Sequence, residues 1–164
     1  MALKVHLRID GGRWKDELPD VLKLVKKAAA EAWKKGNKGD LEIPVKQAEV
    51  SILLTGDAAV RELNKNYRNV DRPTNVLSFA ALDDENEPVV DPMLLGDIVV
   101  AFETTEREAG EQACSFADHL FHLVVHGMLH LIGYDHIEEW EAEEMEALEI
   151  KILADNGIGN PYDG

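Results

Sequence analysis

The chain opens with a two-residue alternation. Over residues 4–10, Val5, Leu7 and Ile9 alternate with Lys4, His6 and Arg8, the pattern of a half-buried strand, and Gly11-Gly12 ends it. The period then changes. Over residues 16–35, Leu18, Val21, Leu22, Val25, Ala28, Ala29, Ala32 and Trp33 recur at helical spacing, with Gly36 as the stop. A second strand is expected over 49–55. A helix over 57–67 carries Val60, Leu63 and Asn64 on one side. A polar loop, 68–74, runs into a short strand over 75–79, and an acidic loop covers 82–92. Residues 96–102 are apolar enough for a strand inside a sheet. Helices are expected over 104–112, from Ser115-Phe116-Ala117-Asp118 to Ile132, and over 137–154. The first residues of the second of these form a capping box, and its body is apolar nearly all round, so it belongs at the centre. The last helix has Ile137, Trp140, Met145, Leu148 and Ile152 as its buried stripe. Strands and helices interleave without repeats. The expectation is a single α+β domain, residues 1–164, with a small mixed four-stranded sheet packed by about five helices.

Composition narrows the class. A 45% hydrophobic chain of 164 residues can bury a core and is not of disordered type. No apolar run reaches a membrane span, and the charged first ten residues do not read as a secretory signal. Cys114 is the only cysteine, so no internal disulfide partner exists, and a reducing cytoplasm is the natural compartment. The net charge of -15 is unevenly spread. Residues 1–80 hold 15 Lys/Arg against 11 Asp/Glu, whereas residues 81–164 hold 2 against 21. Any contact with nucleic acid, which depends on neutralising phosphates, is therefore expected from the first half.

The chemistry concentrates in residues 126–136. His126 and His130 stand at i and i+4, on one helix face and about 6 Å apart along the axis. Gly133 lets the chain leave the helix, so that His136 can arrive as a third ligand. Three imidazoles with an open fourth position describe a catalytic zinc site, one ion per chain, although imidazole alone also suits other transition metals. A lone histidine on an apolar helix is ordinarily a packing residue; three at this spacing with a glycine break are not so easily accidental. His119 and His122 lie on the same side. His122, one turn earlier, is a rival ligand, but both are assigned to packing or to supporting the ligands. Asp135 is either an imidazole-orienting group or a turn residue.

The spacing also matches the metalloprotease pattern His-Glu-x-x-His-x-x-Gly-x-x-His, with one essential departure. Gly127 stands where that pattern has the glutamate that serves as general base. Peptide hydrolysis therefore lacks its base.

A second constellation is the loop 67–79, where Arg68 and Arg72 offer guanidinium groups suited to phosphate; a surface salt bridge, for which Asp71 is a candidate partner, is the ordinary alternative. Residues 67–79, Leu94-Leu95-Gly96-Asp97-Ile98, 122–136 and Glu141-Ala142-Glu143-Glu144-Met145-Glu146 together resemble the YbeY family of bacterial endoribonucleases. The resemblance implies a zincin-like fold and a single-strand-specific, metal-dependent endoribonuclease. It implies a role in maturing the 3′ end of the 16S rRNA precursor and in ribosome quality control. It implies zinc on His126, His130 and His136, and an activity-bearing arginine at Arg68. Small ribosomal subunit proteins are possible partners.

In this reading the metal lowers the pKa of a bound water to near ~7, while Arg68 holds the scissile phosphate. Ser78 and Asp97 are expected near the cleft without an assigned role. The alternatives are a metallopeptidase-like hydrolase using another carboxylate, and a ribosome assembly factor with a structural metal.

Overall fold

The computed structural model describes residues 2–36, 47–81, 92–134 and 138–162. Strands β1 (Ala2–Asp10), β2 (Gln47–Thr55), β3 (Val76–Ala80) and β4 (Met93–Ala101) form one sheet in the order β1-β2-β4-β3. β1, β2 and β4 are parallel, and β3 pairs antiparallel with β4 at the edge. The apolar segment beginning near Gly96 does lie inside the sheet. The described residues hold six helices: α1 (Trp14–Glu17), α2 (Val21–Gly36), α3 (Asp57–Arg68), α4 (Phe102–Glu111), α5 (Phe116–Leu131) and α6 (Glu139–Asp155). The α+β class and the mixed four-stranded sheet are as expected.

The helix expected over 16–35 is two helices. Pro19 separates them: the residue before a proline is pushed out of helical geometry, and Leu18 takes φ -135°, ψ 88°. The two helices differ in fate. α1 brings Trp14 into full burial, with its indole N–H donating to the Thr55 carbonyl at 3.1 Å. α2 lays Val21, Val25, Ala28, Ala29 and Ala32 against α5.

Alternation in the strands divides the sheet into two faces. Val50, Ile52 and Leu54 of β2, with Leu95, Ile98 and Val100 of β4, join the main core beneath α2 and α5. The opposite face carries a smaller cluster, Val60, Leu77, Val99 and Ala101, under α3. The register shifts between β2 and β4 at Glu49/Val50, and Leu95 is the extra residue. Gly96 follows at φ 145°, where a Cβ would lie 2.2 Å from the Phe79 carbonyl oxygen. Only glycine lets the edge strand approach this closely.

α5 begins as its sequence indicated: the Ser115 hydroxyl accepts from the Asp118 backbone N–H at 3.0 Å. Its residues Leu120, Leu123, Val124, Val125, Met128, Leu129 and Leu131 are buried, which makes it the central helix. α6 departs from its expected stripe. Met145 and Ile152 are buried and Leu148 is partly so, but Trp140, near the N-terminal end, is 66% exposed. Ile137 lies outside the described residues.

Candidate metal centre and its cleft

On α5, positions 122, 126 and 130 are half-buried, while 123–125 and 127–129 are buried. The histidines thus form the polar stripe of an otherwise enclosed helix. The imidazoles of His126 and His130 converge, with their Nε2 atoms 3.1 Å apart. Two nitrogens bound to one tetrahedral ion at 2.0–2.1 Å would be about 3.3 Å apart, so this donor pair fits a single transition metal. His136 and Asp135 lie outside the described residues.

The pair opens into a cleft of 570 Å³, lined on one side by Val76, Ser78 and Ala80 of β3 and elsewhere by Arg68, Thr74, Asn75, Gly133 and Tyr134. Arg68, 58 residues earlier in the chain than His126, therefore shares its cleft. Local structure explains the position. α3 ends at Asn69, which takes the left-handed conformation at φ 59° and donates its N–H to the Lys65 carbonyl, while the Val70 N–H donates to the Asn64 carbonyl. The buried Asn64 side chain donates to the Arg72 carbonyl at 2.9 Å and ties down the following loop. Arg68 is exposed in the last turn. Asp71 pairs with Arg61 at 2.8 Å, and among the described residues no carboxylate is paired with Arg68. Ser78 does border the cleft. Asp97 does not: the register shift at Leu95 turns it to the other sheet face, into a separate pocket with His6, Arg8, Tyr67 and Phe79.

The remaining histidines have different environments. His119 is buried, with Nε2 2.9 Å from Glu108 Oε1. His122 sits nearer the metal candidates, its Nε2 3.7 Å from Glu149 Oε2, and its buried Nδ1 has no hydrogen-bond partner among the described residues.

Glu149, on α6, is the residue that sequence reasoning missed. It is wholly buried. Oε1 meets His126 Nδ1, and Oε2 accepts from the Tyr162 hydroxyl. Burial alone would raise its pKa, but the contacts with His122, His126 and Tyr162 outweigh burial and push it down to about 2. Tyr162 is driven the other way, upward, by its own burial and by the Glu149 carboxylate. His122, His126 and Glu149 offer donor atoms within 4.8 Å of one another, a second grouping that could take a metal. The helical spacing of Met145, Glu149 and Ile152 was the available signal, since a charge on a core stripe asks for a partner.

Gly127 also has a structural cause. A Cβ there would lie 3.1 Å from Ile98 Cγ2 and 3.2 Å from Ser78 Oγ, so α5 lies hard against β3 and β4 at this point.

Fold and site together define a zincin-like α+β scaffold with a histidine-lined cleft between its central helix and an edge strand. The family described as Endoribonuclease YbeY matches residues 12–157, and the chain belongs to that family. A relative named Endoribonuclease YbeY from Rhodospirillum rubrum is 51% identical, over 96% of this chain and 82% of its own length. Its namesake from Paramagnetospirillum magneticum is 47% identical, over 99% and 97%. A Thermotoga maritima protein of known solution structure aligns with a TM-score of 0.54 and 25% identity, over 93% of this chain and 91% of its own.

Proposed function

We propose that this chain is a single-domain, zinc-dependent endoribonuclease that cuts single-stranded RNA. The fuller reading is that it acts in the cytoplasm in maturation of the 16S rRNA 3′ end and in ribosome quality control, in contact with small-subunit proteins. The observation that carries it is the convergence of the His126 and His130 Nε2 atoms, 3.1 Å apart, in the cleft that Arg68 also lines. Membership of an endoribonuclease family supplies the substrate class.

His126, His130 and His136 would hold the zinc. When bound, the ion supplies the Lewis acidity that makes water a competent nucleophile near neutral pH. The other steps belong to the chain's own side chains. Arg68, exposed at the cleft, donates two parallel hydrogen bonds to the scissile phosphate and offsets the charge that grows on it. Asn64 and Asn69 hold the turn from which Arg68 projects. β3 walls the cleft with small side chains, Ser78 and Ala80, which leave room for a backbone phosphate. Arg72, in the same loop, extends the positive charge along the strand. A peptidase reading is disfavoured because Gly127 lacks a carboxylate and a Cβ there would already crowd Ile98 and Ser78.

The test is metal analysis beside cleavage of a single-stranded RNA, with and without chelator. The expected result is about one zinc per chain, and cleavage that chelator removes and zinc restores while the fold persists. Chelator-induced unfolding would instead support a structural metal. Cleavage by a metal-free protein would overturn the proposal.

A further inference from the structure

Glu149 is the only wholly buried carboxylate among the described residues, set on a stripe with Met145, Ile152 and Leu153. Burying an ionised carboxylate is expensive, and an apolar residue at such a position is often as stable or more so. A task other than cohesion would account for it.

The contacts indicate which task. Glu149 Oε1 meets Nδ1 of His126, the ring nitrogen turned away from the cleft. A neutral imidazole carries one N–H. An ionised carboxylate accepts that proton's hydrogen bond at Nδ1, so the lone pair must reside on Nε2. Nε2 is the atom that meets His130 Nε2 in the cleft. The second oxygen is not left loose. It accepts from Tyr162, which follows α6 in the chain and whose ring packs edge-on to His122 at 5.7 Å. The carboxylate is thus held from both ends, by α5 and by the residues beyond α6.

We propose that Glu149 is the positioning residue of the metal centre: it fixes His126 as the Nδ1–H tautomer with Nε2 aimed into the cleft, and Tyr162 locks the carboxylate in place. The inference rests on the metal reading given above and adds an outer acceptor to it. It assigns Glu149 to supporting a ligand, not to binding the ion with His122 and His126.

The test uses the full chain and zinc alone as probe. Zinc affinity is measured by competition with a chelator for wild type, Glu149→Gln and Tyr162→Phe, with circular dichroism confirming each fold. Imidazole ¹⁵N spectra of the metal-free and zinc-loaded proteins report which ring nitrogen carries the proton and which the metal. Glu149→Gln, close in shape but uncharged, should weaken zinc binding about 10- to 100-fold. Tyr162→Phe should cost less than about tenfold. Tyr162 is partly exposed, so this variant keeps the proposal testable if Glu149→Gln fails to fold. Wild-type His126 should show Nδ1–H when free and zinc at Nε2 when loaded. Zinc on His126 Nδ1 would make Glu149 a ligand and overturn the inference. So would unchanged affinity in both variants; with zinc-dependent cleavage retained, that result would leave the proposed function standing. A wild type that binds no transition metal would overturn both.

Discussion

Placing at position 127 the glutamate that metalloproteases use should damage the fold and not create a peptidase. The alanine variant isolates the steric part. Its Cβ would sit 3.1 and 3.2 Å from two carbons of Ile98 and 3.2 Å from Ser78 Oγ. Carbon contacts are most favourable at about 3.5–4.0 Å, so the neighbours must yield by roughly 0.4 Å. Ile98 has no exposure and belongs to a strand paired on both sides, so it yields poorly. Overpacking of this kind costs about 1–3 kcal/mol. Exchanging glycine for alanine within a helix returns about 1 kcal/mol. Gly127→Ala should therefore be destabilised by about 0–2 kcal/mol. Gly127→Glu adds further atoms and a carboxylate to the same crowded space. Its cost should exceed roughly 4 kcal/mol, a large share of a typical 5–15 kcal/mol total. Urea unfolding in excess chelator measures both, since removing metal removes its contribution to stability. Stabilisation of Gly127→Ala by the full ~1 kcal/mol would show that the space exists and refute the packing argument. A Gly127→Glu protein within ~1 kcal/mol of wild type, or one that hydrolyses peptides, would refute it more severely.

Arg68→Ala should keep its fold and zinc yet lose about 100-fold or more in single-turnover cleavage of single-stranded RNA, with Arg68→Lys recovering only part; wild-type rates would leave Arg68 without a role. Arg72→Gln should flatten the salt dependence of RNA binding by up to about one phosphate contact, read from affinity at several salt concentrations. The depressed pKa of Glu149 sets an acid limb. Its usual value is 4.5 and its folded value about 2, so its contribution is present above pH 4.5 and lost as pH falls through about 2. The difference corresponds to roughly 3 kcal/mol, and urea stability of metal-free wild type between pH 5 and 2 should fall more steeply than that of Glu149→Gln.

Much of the cleft was legible because its parts are local. A four-residue spacing puts His126 and His130 on one helix face whatever surrounds the helix, and Ser115 caps that helix through a bond spanning three residues. Alternation marked the strands, and an apolar run marked β4 as interior. The separation of α1 from α2 is local as well: Pro19 breaks a periodicity that otherwise runs unbroken. The burial of Trp140 was misjudged because periodicity names a face but not where along a helix its neighbour begins.

What the amino-acid sequence determined by itself, then, is whatever short-range geometry dictates: the elements, the histidine pair and the absence of a base at 127. The tertiary structure decided the long-range pairings. Leu95, one extra residue in β4, turns Asp97 away from the cleft and leaves Ser78 beside it. The packing of α6 on α5 brings Glu149 to His126 across 23 residues, and the residues beyond α6 bring Tyr162 to Glu149. Periodicity cannot foresee such contacts, because a helix face specifies that it will be buried and not which atom it will meet.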